Sequence, residues 1–205
     1  MLTFSIIMQS YCPDIEKLHR AINSVLGQQC KCNFELIVVA DNCEKTYNSV
    51  AETYLEEFNS SKPRLRLFNL TTNHKLKKIY SAGRNYGVSV ARGQWILYLD
   101  NDDYFTNDYL EQLSKLINGA LDWFVVDDYV YKDGWNVRRC NLKSGQCGTA
   151  NIVHKSTMLS RWPDVASYGK DDWIFINNLK RESNKFRQLN VAGYCVCRIP
   201  NRYEL

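Results

Sequence analysis

The chain has 205 residues, of which 45% are hydrophobic and 23% charged, and its formal net charge is +4. That length suits one large domain with a packed core, and the balance excludes a disordered or collagen-like polypeptide. The apolar start, residues 2–8, lacks a basic region before it and is too short to span a bilayer. No other stretch approaches that length, so a soluble intracellular protein is expected.

Residues 3–8 read as a short apolar strand. Over 14–26, Leu18, Ala21, Ile22, Val25 and Leu26 share one helical face, and Gly27 closes the helix. Residues 34–40 form a second buried strand ending on Asp41 and Asn42, followed by an amphipathic helix over 46–58. Alternating basic and apolar residues over 64–70 suit a strand nearer the sheet edge. A polar, basic loop at 71–78 leads to a helix ending at Ala91, in which Gly83 and Gly87 allow close packing on the sheet.

Residues 95–99, W-I-L-Y-L, are a continuous apolar run too short for a helix, which suits a strand buried on both faces. Asp100, Asn101, Asp102 and Asp103 arrive at its carboxyl end, where open α/β sheets bind ligands. Three carboxylates within four residues repel one another unless a cation sits among them. Hard oxygen donors suit Mg²⁺ or Mn²⁺ carrying a substrate phosphate. The competing reading is a solvated acidic turn that caps the next helix, and the position straight after a buried strand favours the ion.

Beyond this point the pattern changes. A helix over 107–117, a strand over 123–126 and a turn at Asp133 and Gly134 precede an irregular, Gly-rich stretch at 138–153. Residues 156–161 and 170–180 read as helical, and the last strands lie near 186–189 and 194–199. This alternation predicts an α/β fold with a doubly wound, mainly parallel sheet, in one domain over 1–205 with halves at 1–128 and 129–205. The eight cysteines include two Cys-x-Cys pairs, 30/32 and 195/197, without the usual two-residue zinc-knuckle spacing. Free, mostly buried thiols are expected rather than a zinc site or a disulfide framework.

Four pieces in order, S-I-I-M-Q-S-Y, F-E-L-I-V-V-A-D-N-C, A-G-R-N-Y-G-V-S-V-A-R-G-Q-W-I-L-Y-L-D-N-D-D and G-K-D-D-W, resemble the family 2 glycosyltransferases of the GT-A fold. The resemblance is strong over residues 3–110 and weaker to about 182. It implies a three-layer α/β/α sandwich, a nucleotide diphosphate sugar donor (UDP first), Mn²⁺ or Mg²⁺, and a carboxylate base. Residues 1–128 would then be the nucleotide-sugar and metal half, and 129–205 the acceptor half.

Carried over residue by residue, the resemblance gives Asp41 the imide N–H of the uracil. Its neighbour is Ala40, where many members carry a second Asp. Gln9 falls where the first strand meets the nucleotide, and Arg84 and Asn85 line the diphosphate or ribose side. Asp100 is expected near the ribose and the metal, Asn101 on the substrate side of the same turn, Asp102 as the direct metal ligand and Asp103 outside it. Asp172 matches the general base, and one base opposite the diphosphate implies inversion. Asp172, Phe175, Ile176 and Leu179 share one helical face, which turns Asp172 towards the sheet, whereas Asp171 suits an N-cap. His154 is a candidate contact to diphosphate or metal against a structural role. Trp162, Tyr168 and Trp173 either stack on an acceptor ring or pack in the core.

The halves differ in charge: residues 1–128 hold 13 Lys+Arg against 16 Asp+Glu, and residues 129–205 hold 13 against 6. Arg138, Arg139, Lys143, Lys155 and Arg161 cluster in the basic half. That pattern reads as a solvated face or as attraction for an anionic acceptor such as nucleic acid. A neutral saccharide acceptor leads on family grounds. Two rival functions are a nucleotide-sugar-binding protein without turnover and a nucleotidyltransferase, although the latter wants a Gly- and Lys-rich loop that residues 9–13 do not offer.

Overall fold

The computed structural model describes residues 2–11, 13–71, 81–117, 119–131, 134–164 and 170–197. Most of the expected basic loop at 71–78, Tyr168, and residues 198 and 199 of the last expected strand lie outside them. The strands are β1 (Phe4–Ser10), β2 (Phe34–Asp41), β3 (Leu65–Leu70), β4 (Trp95–Tyr98), β5 (Tyr104–Phe105), β6 (Trp123–Tyr131), β7 (Trp135–Arg138), β8 (Ile152–Lys155) and β9 (Phe186–Val196). The helices are α1 (Ile15–Leu26), α2 (Glu44–Thr53), α3 (Leu55–Phe58), α4 (Ser81–Val90), α5 (Tyr109–Leu116) and α6 (Asp171–Glu182).

All nine strands join one sheet in the order β3-β2-β1-β4-β8-β6-β9-β5, with β7 paired to β6. The first four run parallel; β8 is antiparallel to both β4 and β6, and β9 returns to the parallel sense beside β6. Alternating side chains feed two apolar layers. Phe4, Ile6 and Met8 of β1 pack on one face with Leu18, Ala21 and Ile22 of α1. Ile7 packs on the other with Val88 of α4 and Phe175, Ile176 and Leu179 of α6. The result is the expected three-layer α/β/α sandwich, with a mainly parallel sheet that runs through both halves of the sequence.

Local chemistry sets the element ends. Asp14 caps α1, its carboxylate accepting from the Glu16 and Lys17 N–H groups, and Gly27 follows the last turn. At Gly83 of α4 an added Cβ would stand 2.6 Å from Gln9 Cγ, so glycine is what lets the helix approach the end of β1. One buried carboxylate ties the sheet together behind the site. Glu35 accepts from Ser5 Oγ, Arg66 Nη1 and the Arg92 N–H, linking β1, β2, β3 and the turn before β4.

Several expectations are corrected. The helix expected over 46–58 is two, α2 and α3, separated at Tyr54, whose hydroxyl turns inward to donate to Asn23 Oδ1. Residues 156–161 are not helical, because the Leu159 and Ser160 N–H groups donate to Glu182 instead of a helical ladder. The stretch 138–153 is not irregular throughout: β8 emerges at Ile152, only four residues long, and bridges β4 to β6. The strand at 123–126 continues to Tyr131, and the two expected final strands are one, β9, whose pairing with β6 shifts register twice. Cys140 and Cys147 form a disulfide, because the turn between them brings their Cα atoms to 5.4 Å. Among the described residues Cys30, Cys32, Cys195 and Cys197 are free thiols.

Candidate active site

Parallel strands end on one edge, so the expected donor-side residues meet at the carboxyl ends of β1, β2 and β4. Gln9 Nε2 donates to Asp41 Oδ2 at 2.9 Å. Asp41 is fully buried, and the other amide atom, Gln9 Oε1, is buried with no hydrogen-bond partner among the described residues. Such an acceptor is costly to leave unmade, which marks it as a point where a ligand N–H would fit. Asn42 follows in the left-handed region (φ 49°), its amide turned back to Asp41 Oδ1 at 3.4 Å.

After β4 the chain turns through Asp100–Asp103, and each residue there has a different task. The Asp100 N–H donates to the Tyr194 hydroxyl at 2.9 Å, and Asn101 Nδ2 donates to Ser10 Oγ at 3.1 Å. The Asp102 carbonyl accepts from Arg20 Nη2 at 2.7 Å. Asp103 is buried and accepts from the Cys197 N–H at 2.7 Å, so it fastens β9 to the turn. Burial, followed by the charges of Asp100 and Asp102, holds the Asp103 carboxyl well above the usual carboxylate range.

Arg84 is the hub. Its Nη2 lies 3.0 Å from Asp100 Oδ1 and its Nη1 3.6 Å from Asp171 Oδ2. The guanidinium sits 4.5 Å over the Trp162 ring. Burial works against its charge, but Asp100, Asp172 and Asp171 outweigh it and raise the group above its ordinary value. One arginine therefore joins the acidic turn to the start of α6. Asp171 is not the N-cap expected from sequence: Lys170 holds that position without a side-chain cap bond, and Asp171 faces Arg84.

Asp172 accepts from Thr149 Oγ1 at 2.9 Å. Its carboxyl is pushed up to about 6 by burial; the Arg84 guanidinium opposes this and Asp171 adds to it. A carboxylate in that range is still charged at neutral pH yet basic enough to take a proton. Thr149 escaped the sequence reading. Its only local signal is the G-T-A that follows Cys147, and the distance to residue 172 hides the pairing.

Other expected residues have different roles. His154 is fully buried, its Nε2 against the Tyr98 hydroxyl at 2.8 Å and its Nδ1 against the Lys155 carbonyl at 2.9 Å. Burial lowers it to about 4, which makes it a neutral core histidine and not a diphosphate or metal contact. The Asn85 side chain clamps the Trp162 backbone from both amide atoms at 2.9 Å, which positions Trp162 under Arg84. Trp173 packs at the edge of the α6 layer with Lys180 Nζ 4.8 Å over its ring. Trp162 is buried against Tyr98 and Phe175, so it packs instead of stacking on an acceptor.

The basic cluster is also reassigned. Arg138 forks onto buried Asp128 at 2.9 and 2.5 Å, and Arg139 pairs with buried Asp127. Lys155 pairs with Asp122 at 2.9 Å. These three cations neutralise carboxylates of the chain itself, so the count of basic residues does not by itself argue for a nucleic-acid acceptor.

Among the described residues no three His, Cys, Asp or Glu side chains converge as a ready metal cage. Asp100, already paired with Arg84, and Asp102 are the carboxylates of this turn that would hold a cation. Their charges press on Asp103, and Mg²⁺-type ions take one or two carboxylates with water and substrate phosphate completing the shell.

Parallel β3-β2-β1-β4 strands with acids at their carboxyl edge, continued by β8 and β6, define the nucleotide-diphospho-sugar transferase fold called GT-A. Residues 5–165 match the family model described as glycosyl transferase family 2, and the chain belongs to that family. It is 29% identical to the poly(ribitol-phosphate) β-N-acetylglucosaminyltransferase TarP of Staphylococcus aureus over 76% of this chain and 46% of that protein. It is 30% identical to an uncharacterized glycosyltransferase of Haemophilus influenzae over 71% of this chain and 51% of the relative. The chain thus spans about half the length of these curated relatives. In fold it is similar to S. aureus TarS 1–349 in complex with UDP-GlcNAc, with TM-score 0.75 and 20% identity over 98% of this chain and 60% of that one. A mannosyltransferase from Pyrobaculum calidifontis in complex with GDP-Man and Mn²⁺ gives TM-score 0.70 at 12% identity over 98% and 58%.

Proposed function

We propose that this chain is the catalytic unit of an inverting glycosyltransferase that moves a sugar from a UDP-sugar to a saccharide hydroxyl with the help of a divalent cation. The observation that carries the reading is Arg84, whose guanidinium bonds Asp100 and faces Asp171 beside Asp172. It couples the acids of the donor side to a raised carboxylate on the acceptor side.

In this reading Asp41, braced by Gln9, accepts the imide N–H of the base, and Gln9 Oε1 takes a further donor from the nucleotide side. Asp102 and Asp100 hold Mn²⁺ or Mg²⁺, which supplies neutralisation of the charge that develops on the leaving diphosphate. Asp172 takes the proton of the acceptor hydroxyl as it attacks the anomeric carbon, and Thr149 aims the carboxylate. A single base on the face opposite the leaving group implies inversion. TarP and TarS are named for transfer to poly(ribitol-phosphate), and the UDP-GlcNAc complex of TarS supports UDP-GlcNAc as the first donor to test.

The test is UDP release from UDP-GlcNAc with Mn²⁺ and after chelation, with the anomeric configuration of the product read by NMR. Metal-dependent release and an inverted product are expected. Release that survives chelation, or a retained configuration, overturns the reading. Donor binding without any release would favour the rival binding protein.

A further inference from the structure

The β6–β7 hairpin carries an aromatic group that neither the donor side nor the base uses. Tyr131 pairs across it with Trp135 and Tyr129 with Val137, on the face opposite Asp128 and Arg138. Trp135 meets two rings edge to face, Tyr104 at 5.7 Å and Tyr131 at 5.5 Å, each at 81°. Trp135 is 36% exposed, whereas Trp95, Trp123 and Trp162 are buried.

The cluster is held in place from below. Arg138 forks onto buried Asp128, which Asn151 Nδ2 also reaches at 3.1 Å. Arg20 lies 5.2 Å over the Tyr104 ring while donating to the Asp102 carbonyl. Tyr104 directly follows Asp103, so one edge of the aromatic group is covalently attached to the acidic turn.

Register places the hairpin at the working edge. Leu97 of β4 pairs with Val153 of β8, which pairs with Phe124 of β6. Residues 127–131 therefore run out beyond the carboxyl edge, beside the 100–103 turn, where Tyr104 meets Trp135.

An indole 36% exposed, flanked by two phenol rings at 81°, makes an apolar surface with polar rims. A pyranose ring presents the matching surface, a face of C–H groups ringed by hydroxyls. A protein partner is a poorer match, since a stable interface needs about 800 Å² per side, far more than one indole and two partly covered phenols present. An open-chain polyol phosphate has no ring face to offer.

We propose that Trp135, set between Tyr104 and Tyr131, is the platform on which a pyranose ring of the acceptor stacks. This deepens the transferase reading and rests on it.

The full chain, labelled with ¹⁵N, is titrated with cellotetraose and with chitotetraose, with poly(ribitol phosphate) as the ring-free comparison. The expected result is a saturable shift of the Trp135 indole N–H by a tetrasaccharide and none by the polyol phosphate. Trp135→Ala should weaken that binding about tenfold or more, and Trp135→Phe should keep most of it. The phenylalanine variant separates a lost stacking face from a disturbed hairpin. The proposal is overturned if neither tetrasaccharide shifts the resonance, if Trp135→Ala binds as tightly as the parent, or if poly(ribitol phosphate) alone shifts it. A concentration-dependent dimer that Trp135→Ala abolishes also overturns it. UDP release from UDP-GlcNAc by the unsubstituted protein is scored separately: its absence defeats the transferase reading, and its presence without a shift defeats only the platform.

Discussion

Thr149 Oγ1 donates to Asp172 Oδ1 at 2.9 Å, across 23 residues and from a 3-10 turn onto the first turn of a helix. This bond favours the charged carboxylate, while burial disfavours it, and the balance leaves Asp172 at about 6. The group must be deprotonated to act as a base, so turnover should be full above that value and fall as pH drops through it. Asp172→Asn should cost ~10²–10⁴-fold in rate with UDP-GlcNAc affinity nearly intact. Thr149→Val should move the acid limb of the kcat profile upward, so that most of its deficit disappears at pH 8. An unmoved limb would deny Asp172 the role.

Neighbouring acids in the 100–103 turn should behave oppositely. Asp102→Ala is expected to abolish metal-dependent UDP release with little change in Tm. Asp103→Ala removes the buried acceptor of the Cys197 N–H and should lower stability by ~1–3 kcal/mol in urea unfolding. Equal effects of the two substitutions on stability would contradict this division.

Arg138 and Arg139 should prove to be structural cations. Replacing both by Ala leaves Asp127 and Asp128 buried without their charge partners, at a cost on the order of 2 kcal/mol for each carboxylate. Acceptor affinity in the parent should vary little with salt. A steep salt dependence that the double substitution flattens without loss of stability would restore the anionic-acceptor reading.

His154 should make folding sensitive to acid. It is held neutral, with its pKa lowered from 6.5 to about 4, so the unfolded chain binds the extra proton first. The stability it contributes is present above about 6.5 and is lost as pH falls towards 4, to a total of about 3 kcal/mol. His154→Leu should be less stable at pH 7, because the Tyr98 hydroxyl loses its partner, yet its stability should fall less between pH 7 and pH 4.5. Parallel urea-midpoint curves for the two proteins would rule this out.

How far the sequence reaches depends on how local each signal is. Strands buried on both faces show as unbroken apolar runs, so β1, β2 and β4 were readable from 3–8, 34–40 and 95–99. Parallel strands end on one edge, which is why the sequence alone places Asp41 and Asp100–Asp103 on one face of the fold. For Asp172 the role is what the resemblance implies, and the helical repeat of Phe175, Ile176 and Leu179 adds only its direction towards the sheet. The tertiary structure alone decided what depends on partners far away in the chain. The four residues of β8 carry too little pattern to be seen, yet they bridge the two halves of the sheet. A single histidine among apolar residues reads the same as ligand or as core until Tyr98 and the Lys155 carbonyl occupy both its nitrogens. Composition counts charge without pairing it, so the basic half looked free to attract an anion. Folding set its arginines against Asp127 and Asp128, because a carboxylate buried in an apolar sheet holds its charge only with a cation beside it.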